Sequence, residues 1–141
     1  MPFTIRPFAE RDTAAVIALW EARGLTRPWN DPAADIAAKL RVQPELFLVA
    51  EEGDAILGSV MAGTDGHRGW LYYLASAASR AGEGIGRALV AEAEARLVEL
   101  GCPKVQLMVR SENAEVIGYY RALGYADSDV VVLGKRLDAA P

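Results

Sequence analysis

Two rhythms of apolar residues run along the chain. Where they alternate or cluster over a few positions they predict strands, and where they recur every three to four positions they predict helices. Residues 3–8 alternate and form a short first strand. Residues 11–23 carry Val16, Ile17, Leu19 and Trp20 on a helical spacing, with Gly24 as a stop. Asp31 before Pro32 is a cap followed by a first-turn proline, and it opens a second helix over 32–42 with Ile36 and Leu40 four apart. Segments 47–50 and 55–62 are apolar and flank Glu52-Gly53-Asp54, which predicts a hairpin. Segment 63–69 is polar and glycine-rich, and 70–74 is an aromatic strand.

A glycine-bearing loop, 79–86, then opens the most regular helix in the chain. Ile85, Leu89, Ala93, Leu97 and Leu100 make its apolar stripe, and Gly101 ends it. A strand over 105–109, a helix over 113–123 stopping at Gly124, and a last strand over 130–137 complete the series. Consecutive strands followed by strand–helix alternation predict an α/β fold, a mixed sheet with helices on both faces. With 141 residues, no repeat and no linker, one domain spanning 1–141 is expected.

Charge and composition narrow the function. A formal net charge of -4 argues against nucleic acid and anionic membrane as main partners. The N-terminus lacks a basic segment followed by an apolar run, and no apolar stretch nears the ~20 residues that span a bilayer, so the cytoplasm is the expected compartment. Cys102 and His67, one of each type, are too few for a typical zinc site, and no metal is expected.

The chemistry concentrates at Leu74, Ala75, Ser76 and the loop that follows. Gly82, Gly84 and Gly86 lie between a strand and a helix start, where glycine lets the backbone approach a ligand. The free amides and dipole of a helix N-terminus favour an anion such as pyrophosphate. A Walker loop would end in Lys and then Ser or Thr, whereas Gly86 is followed by Arg87 and Ala88. A dinucleotide loop would sit in the first strand–helix unit, and this one follows four strands. Such a glycine spacing alone is equally often a tight turn.

In detail the loop resembles that of the GNAT (GCN5-related) N-acetyltransferases. Their Arg/Gln-x-x-Gly-x-Gly/Ala motif is similar to Ala81-Gly82-Glu83-Gly84-Ile85-Gly86-Arg87. Asn113 with Tyr119-Tyr120-Arg121-Ala122-Leu123-Gly124-Tyr125 resembles the family's Asn…Tyr-x-x-Leu-Gly-Tyr/Phe signature. Segments 27–32 and 65–69 look like the bacterial YpeA-type subgroup. The resemblance covers almost the whole chain. It implies a central, mostly antiparallel twisted sheet of six to seven strands with about four helices. It also implies acetyl-CoA as co-substrate and transfer of the acetyl group to a primary amine of a small molecule or peptide, by direct attack in a ternary complex.

Residue roles follow from the same resemblance. A backbone N–H near Leu74, Ala75 or Ser76 would hold the oxyanion. Gly82, Gly84, Ile85, Gly86 and Arg87 would line the pyrophosphate, and Asn113 would meet the pantetheine arm. Tyr120 would meet the cofactor as well and protonate the departing thiolate. Two positions depart from the motif. Ala81 stands where the family has Arg or Gln, and Glu83 puts a carboxylate beside the phosphates. Arg80, one place early, is the basic residue that could substitute.

Each reading has a structural counterpart. Tyr120 shares a helical stripe with Val116 and Leu123 and could be core. Asn113 could be an N-cap. His67, which titrates near neutrality, is the candidate base or a solvated loop histidine. Trp29, Asn30, Asp31 and Asp65 are candidate substrate residues, or a capped helix entry and a polar turn. The alternative function is a weakened GNAT fold that binds CoA or another ligand without turnover. An assembly role would use the sheet edge near Val130 to Val132, and a homodimer is implied by resemblance alone.

Overall fold

Asp31 shows how the local sequence sets an element: its Oδ1 accepts from the backbone N–H of Ala33 and Ala34, at 3.0 and 3.3 Å. Pro32 follows as the first helical residue, and the helix Pro32–Leu40 runs from there. The computed structural model describes residues 3–138 and divides into two compact units, Met1–Met108 and Val109–Pro141.

The first unit holds five strands, β1 (Thr4–Pro7), β2 (Phe47–Glu52), β3 (Ala55–Thr64), β4 (Gly69–Ser76) and β5 (Val105–Leu107). They form one sheet in that order. The first three pairings are antiparallel and β4–β5 is parallel. Its helices are α1 (Thr13–Ala22), α2 (Pro32–Leu40) and α3 (Ile85–Glu99).

Alternation along the strands builds a core on each face. Phe47, Val49 and Met61 pack with Val16, Leu19, Trp20 and Ile36. Phe8 stacks on Phe47 at 4.3 Å between ring centres. On the opposite face Gly58 lets α3 come down onto the sheet. A Cβ there would lie 2.8 Å from Ile85 Cγ2 and 2.9 Å from Leu89 Cδ1. That close approach sets the N-terminal end of α3 against the sheet. Buried Ile85, Leu89, Val90, Ala93 and Leu97 form the α3 stripe. Leu100, expected in it, caps the helix end and is 56% exposed.

The second unit contains α4 (Ala114–Ala122). Asn113 caps it, its side-chain Oδ1 accepting from the Val116 N–H at 3.3 Å. Tyr120 stands edge-on to Tyr119 and to Tyr125.

The expected strand over 130–137 is not formed, and the described residues hold five strands rather than six to seven. Val130, Val131, Val132, Leu133 and Leu137 are all exposed. Their β-branched composition favours a strand only where a neighbour supplies a ladder and a packed face, and neither is provided here. The described residues hold four α-helices, in line with the expectation. Among the described residues no helix is long and apolar enough to cross a membrane.

Candidate active site

β4 changes character halfway along. Its first residues, Gly69, Trp70 and Leu71, pair with β5. From Tyr72 onward β4 has no strand on that side among the described residues. On the other side its register with β3 shifts between Ser59 and Met61. Tyr73 absorbs the shift with φ +53°, a left-handed conformation in a bulky residue. Leu74, Ala75 and Ser76 follow this bulge on the open edge.

Three contacts hold Tyr73 in its strained shape. Its ring stacks on Trp20 with centres 3.8 Å apart. Its carbonyl accepts from Ser59 Oγ at 2.9 Å, and Ser59 in turn accepts from Trp20 Nε1 at 2.8 Å. Its hydroxyl donates to Asp35 Oδ2 on α2 at 2.6 Å. Left-handed backbone in a non-glycine residue costs about 1–3 kcal/mol and persists only where its surroundings over-determine it. Burial first, and hydrogen bonding to the Asp35 carboxylate second, push the Tyr73 phenol well above its usual range. Sequence reasoning missed both Tyr73 and Asp35. No propensity marks an aromatic residue for positive φ, and the pair is 38 positions apart.

Past Ser76 the chain turns into the glycine loop. Gly82 and Gly84 have φ of +84° and +78°, and a Cβ on either would point into open space. Gly84 is the N-cap of α3, and no side chain caps that end. The first amides of α3 are therefore left without a capping partner from the chain, beside an exposed, glycine-lined approach. This is the arrangement that takes an anion.

The two departures from the expected motif prove to be linked. Arg80 Nε donates to Glu83 Oε2 at 2.7 Å, and Arg80 Nη1 donates to Glu52 Oε1 at 2.8 Å. The guanidinium thus ties the loop to the end of β2 and compensates the acid beside the helix N-terminus. Hydrogen bonding to Arg80 is also what lowers the Glu83 pKa. Replacing Glu83 with Gln should remove a charge that opposes phosphate and leave Arg80 one anionic partner fewer, while the amide oxygen can still accept from Arg80 Nε. Acetyl-CoA affinity should then rise by roughly two- to fivefold at low salt, with the gain shrinking as salt is added. Unchanged or weaker binding in a titration of the variant would show that the acid does not face the anion.

The far end of β4 does not join this site. Asp65 Oδ1 accepts from the backbone N–H of His67 and Arg68, at 2.8 and 2.7 Å. Asp65 Oδ2 accepts from Trp70 Nε1 at 3.1 Å. These bonds, the one from Arg68 foremost, hold its carboxyl down at about 2. Asp65 is the cap of the β3–β4 turn, and His67 is exposed on that turn. Eight residues of β4 separate the turn from the glycine loop, roughly 25 Å at strand rise. A general base needs hydrogen-bond reach, at most through one water. His67 and Asp65 thus stand together on the β3–β4 turn, at the opposite end of β4 from the glycine loop.

Asp31 is occupied as the α2 cap, while the Asn30 N–H donates to Arg27 O at 3.0 Å. Trp29 is 56% exposed ahead of α2. In the second unit, burial and then its neighbour Tyr119 push the Tyr120 phenol up to about 12. Among the described residues no group of three or more His, Cys, Asp or Glu side chains stands together to hold a metal.

Comparison with known proteins agrees with this geometry. The Acetyltransferase (GNAT) family matches residues 14–125. An acetyltransferase of Yersinia enterocolitica is 52% identical over 133 residues, covering 94% of each chain. Among solved structures, Ard1 from Thermoplasma volcanium is similar at a TM-score of 0.82 and 24% identity, covering 91% of this chain and 85% of that one. AAC(6')-Iy in complex with the bisubstrate analogue CoA-S-monomethyl-acetylneamine is similar at a TM-score of 0.78 and 16% identity, covering 95% and 97%. The matches, with an α3 N-terminus that no side chain caps and the open edge of β4, lead to one conclusion: the chain belongs to the GNAT acetyltransferase family, enzymes that take an acetyl group from acetyl-CoA.

Proposed function

We propose that the protein transfers the acetyl group of acetyl-CoA to a primary amine of a small molecule or peptide, by direct attack within a ternary complex. The observation that carries this reading is the N-terminus of α3, opened by left-handed Gly84 and left without a side-chain cap. In it, the CoA pyrophosphate rests on backbone amides between Gly82 and Arg87. The helix dipole adds about 0.3–2 kcal/mol to holding that charge. The acetyl group lies along the open edge of β4, and an N–H near Leu74, Ala75 or Ser76 stabilises the oxyanion formed by amine attack. By the family resemblance, Asn113 would meet the pantetheine arm and Tyr120 would donate a hydrogen bond to the leaving sulfur.

The acceptor must be neutral when it attacks, since an ammonium has no lone pair. Trp29 and Asn30 remain candidates for lining its entry. The similarity to AAC(6')-Iy, solved with the bisubstrate analogue CoA-S-monomethyl-acetylneamine, is in keeping with an amine acceptor here.

A panel of primary amines tests the reading, with free-thiol release followed against acetyl-CoA alone and acetylated product identified by mass. The proposal requires amine-dependent thiol release with matching acetylated product. Saturable acetyl-CoA binding with no release for any amine class would instead favour the binding-module reading, which the absence of a basic side chain at Ala81 motivates.

A further inference from the structure

We propose that Lys39, on α2, is the lysine of this chain most readily modified by activated acyl groups, so that the protein carries an Nε-acylation site of its own. The modifying class is a small acyl phosphate or acyl thioester.

The lysines of the chain are Lys39, Lys104 and Lys135. Lys104 and Lys135 are exposed, whereas Lys39 is half-buried. Its Nζ rests over Gly63 of β3, where a Cβ would lie 3.2 Å from Nζ and 3.2 Å from Gln43 Oε1. The missing side chain of Gly63 is what opens this crevice. Gln43 forms its other wall and is held in place. Its backbone is left-handed, with φ +54°, and its side chain accepts from the Thr64 N–H at 2.9 Å and donates to Thr64 O at 3.2 Å. In that way it serves Thr64 as a neighbouring strand would, beyond the start of β2, whose Phe47 pairs with Met61.

No carboxylate lies within ion-pair distance of Lys39 among the described residues. Asp35, one turn earlier on α2, is engaged by the Tyr73 hydroxyl. Burial lowers the Lys39 pKa from the usual lysine value, and the charge of Glu45, just ahead of β2, offsets only part of this. Gly63 pairs with Trp70, in the half of β4 away from the glycine loop, so the site is separate from the proposed cofactor cradle.

An ammonium has no lone pair, so an acyl donor selects the lysine that is most often neutral and still within reach. The flexible four-carbon stem lets Nζ swing out of the crevice to react. The neutral nitrogen attacks the acyl carbon and the N–C bond forms. The C–O bond of an acyl phosphate, or the C–S bond of a thioester, breaks, and the leaving group departs with the electron pair. The extra proton on nitrogen goes to solvent. The product amide is uncharged and bulkier than the ammonium, so it stays outside the crevice.

Limiting acetyl phosphate, followed by peptide mapping by mass, ranks the lysines without calling on a CoA site. At about pH 8, Lys39 should be acetylated at least about threefold faster than Lys104 or Lys135. The lead should vanish in urea, because it comes from the fold. Glu45→Gln changes an exposed side chain, removes a charge that favours the ammonium and should quicken Lys39 alone. Acetyl-CoA should give the same ranking. Suppression of that labelling by desulfo-CoA would identify bound cofactor as the donor, and persistence would identify donor in solution; either supports the site. Lys39 reacting no faster than the other lysines, a lead that survives urea, or a rate indifferent to Glu45→Gln would overturn the proposal and leave acetyl transfer to an external amine untouched.

Discussion

Tyr120→Phe should lower kcat by about a hundredfold and leave acetyl-CoA affinity within about twofold of the wild type. The hydroxyl is the only group lost, and the ring keeps its edge-on packing with Tyr119 and Tyr125. A residue serving only as core would show the reverse pattern, a modest stability loss with turnover intact. The elevated phenol pKa refines the role. With the Tyr120 phenol at about 12 and a thiol near ~8.5, full proton transfer to the thiolate is uphill by about 5 kcal/mol. In the proposed role the side chain would therefore act as a hydrogen-bond donor to charge building on sulfur. A group whose pKa is raised stays protonated below that value, so ionisation of Tyr120 should not cut kcat between about pH 8 and about pH 10. A descending limb inside that window, lost in the Phe variant, would contradict this.

Trp20→Ala should cost about 3–5 kcal/mol of stability, read as a lower urea midpoint. Trp20 is fully buried and stacks between Phe47 and Tyr73. Removing it opens a cavity, strips Tyr73 of its platform and takes the Nε1 donor from Ser59. Trp20→Phe keeps an aromatic face and should lose only about 1–2 kcal/mol, mainly through the missing hydrogen bond. Near-equal stability of the two variants would show that the ring stack contributes little.

Local signals carried the reading furthest. The Asp31-Pro32 cap and the β2–β3 hairpin turn are each written within about ten residues and form where the pattern puts them, and the stripe that starts at the Gly82–Gly86 loop forms in all but its last member, Leu100. Long-range pairs were not legible. Arg80 meets Glu52, and Arg6 bridges Asp12 and Glu51. Nothing in composition distinguishes these partners from other surface charges. The β3–β4 turn can be read in two ways. Asp65-Gly66-His67-Arg68 looked like a chemical cluster because its residues are polar and titratable. Yet Asp followed two positions on by a backbone donor is equally a turn signature, and that is what forms. The valine run near 130 failed for the opposite reason: its propensity was read without a neighbouring strand to pair with.

The departure at Ala81 and Glu83 is the point on which the functional account turns. The amides of the Gly84-capped helix are held sufficient to bind pyrophosphate without the motif arginine, since backbone donors supply most of such a site. Calorimetric titration with acetyl-CoA, compared with desulfo-CoA and ATP, tests this directly. The account predicts a micromolar dissociation constant for acetyl-CoA, about 8 kcal/mol, with ATP far weaker. No saturable heat at millimolar acetyl-CoA would contradict it and would mean that this glycine loop no longer holds the cofactor.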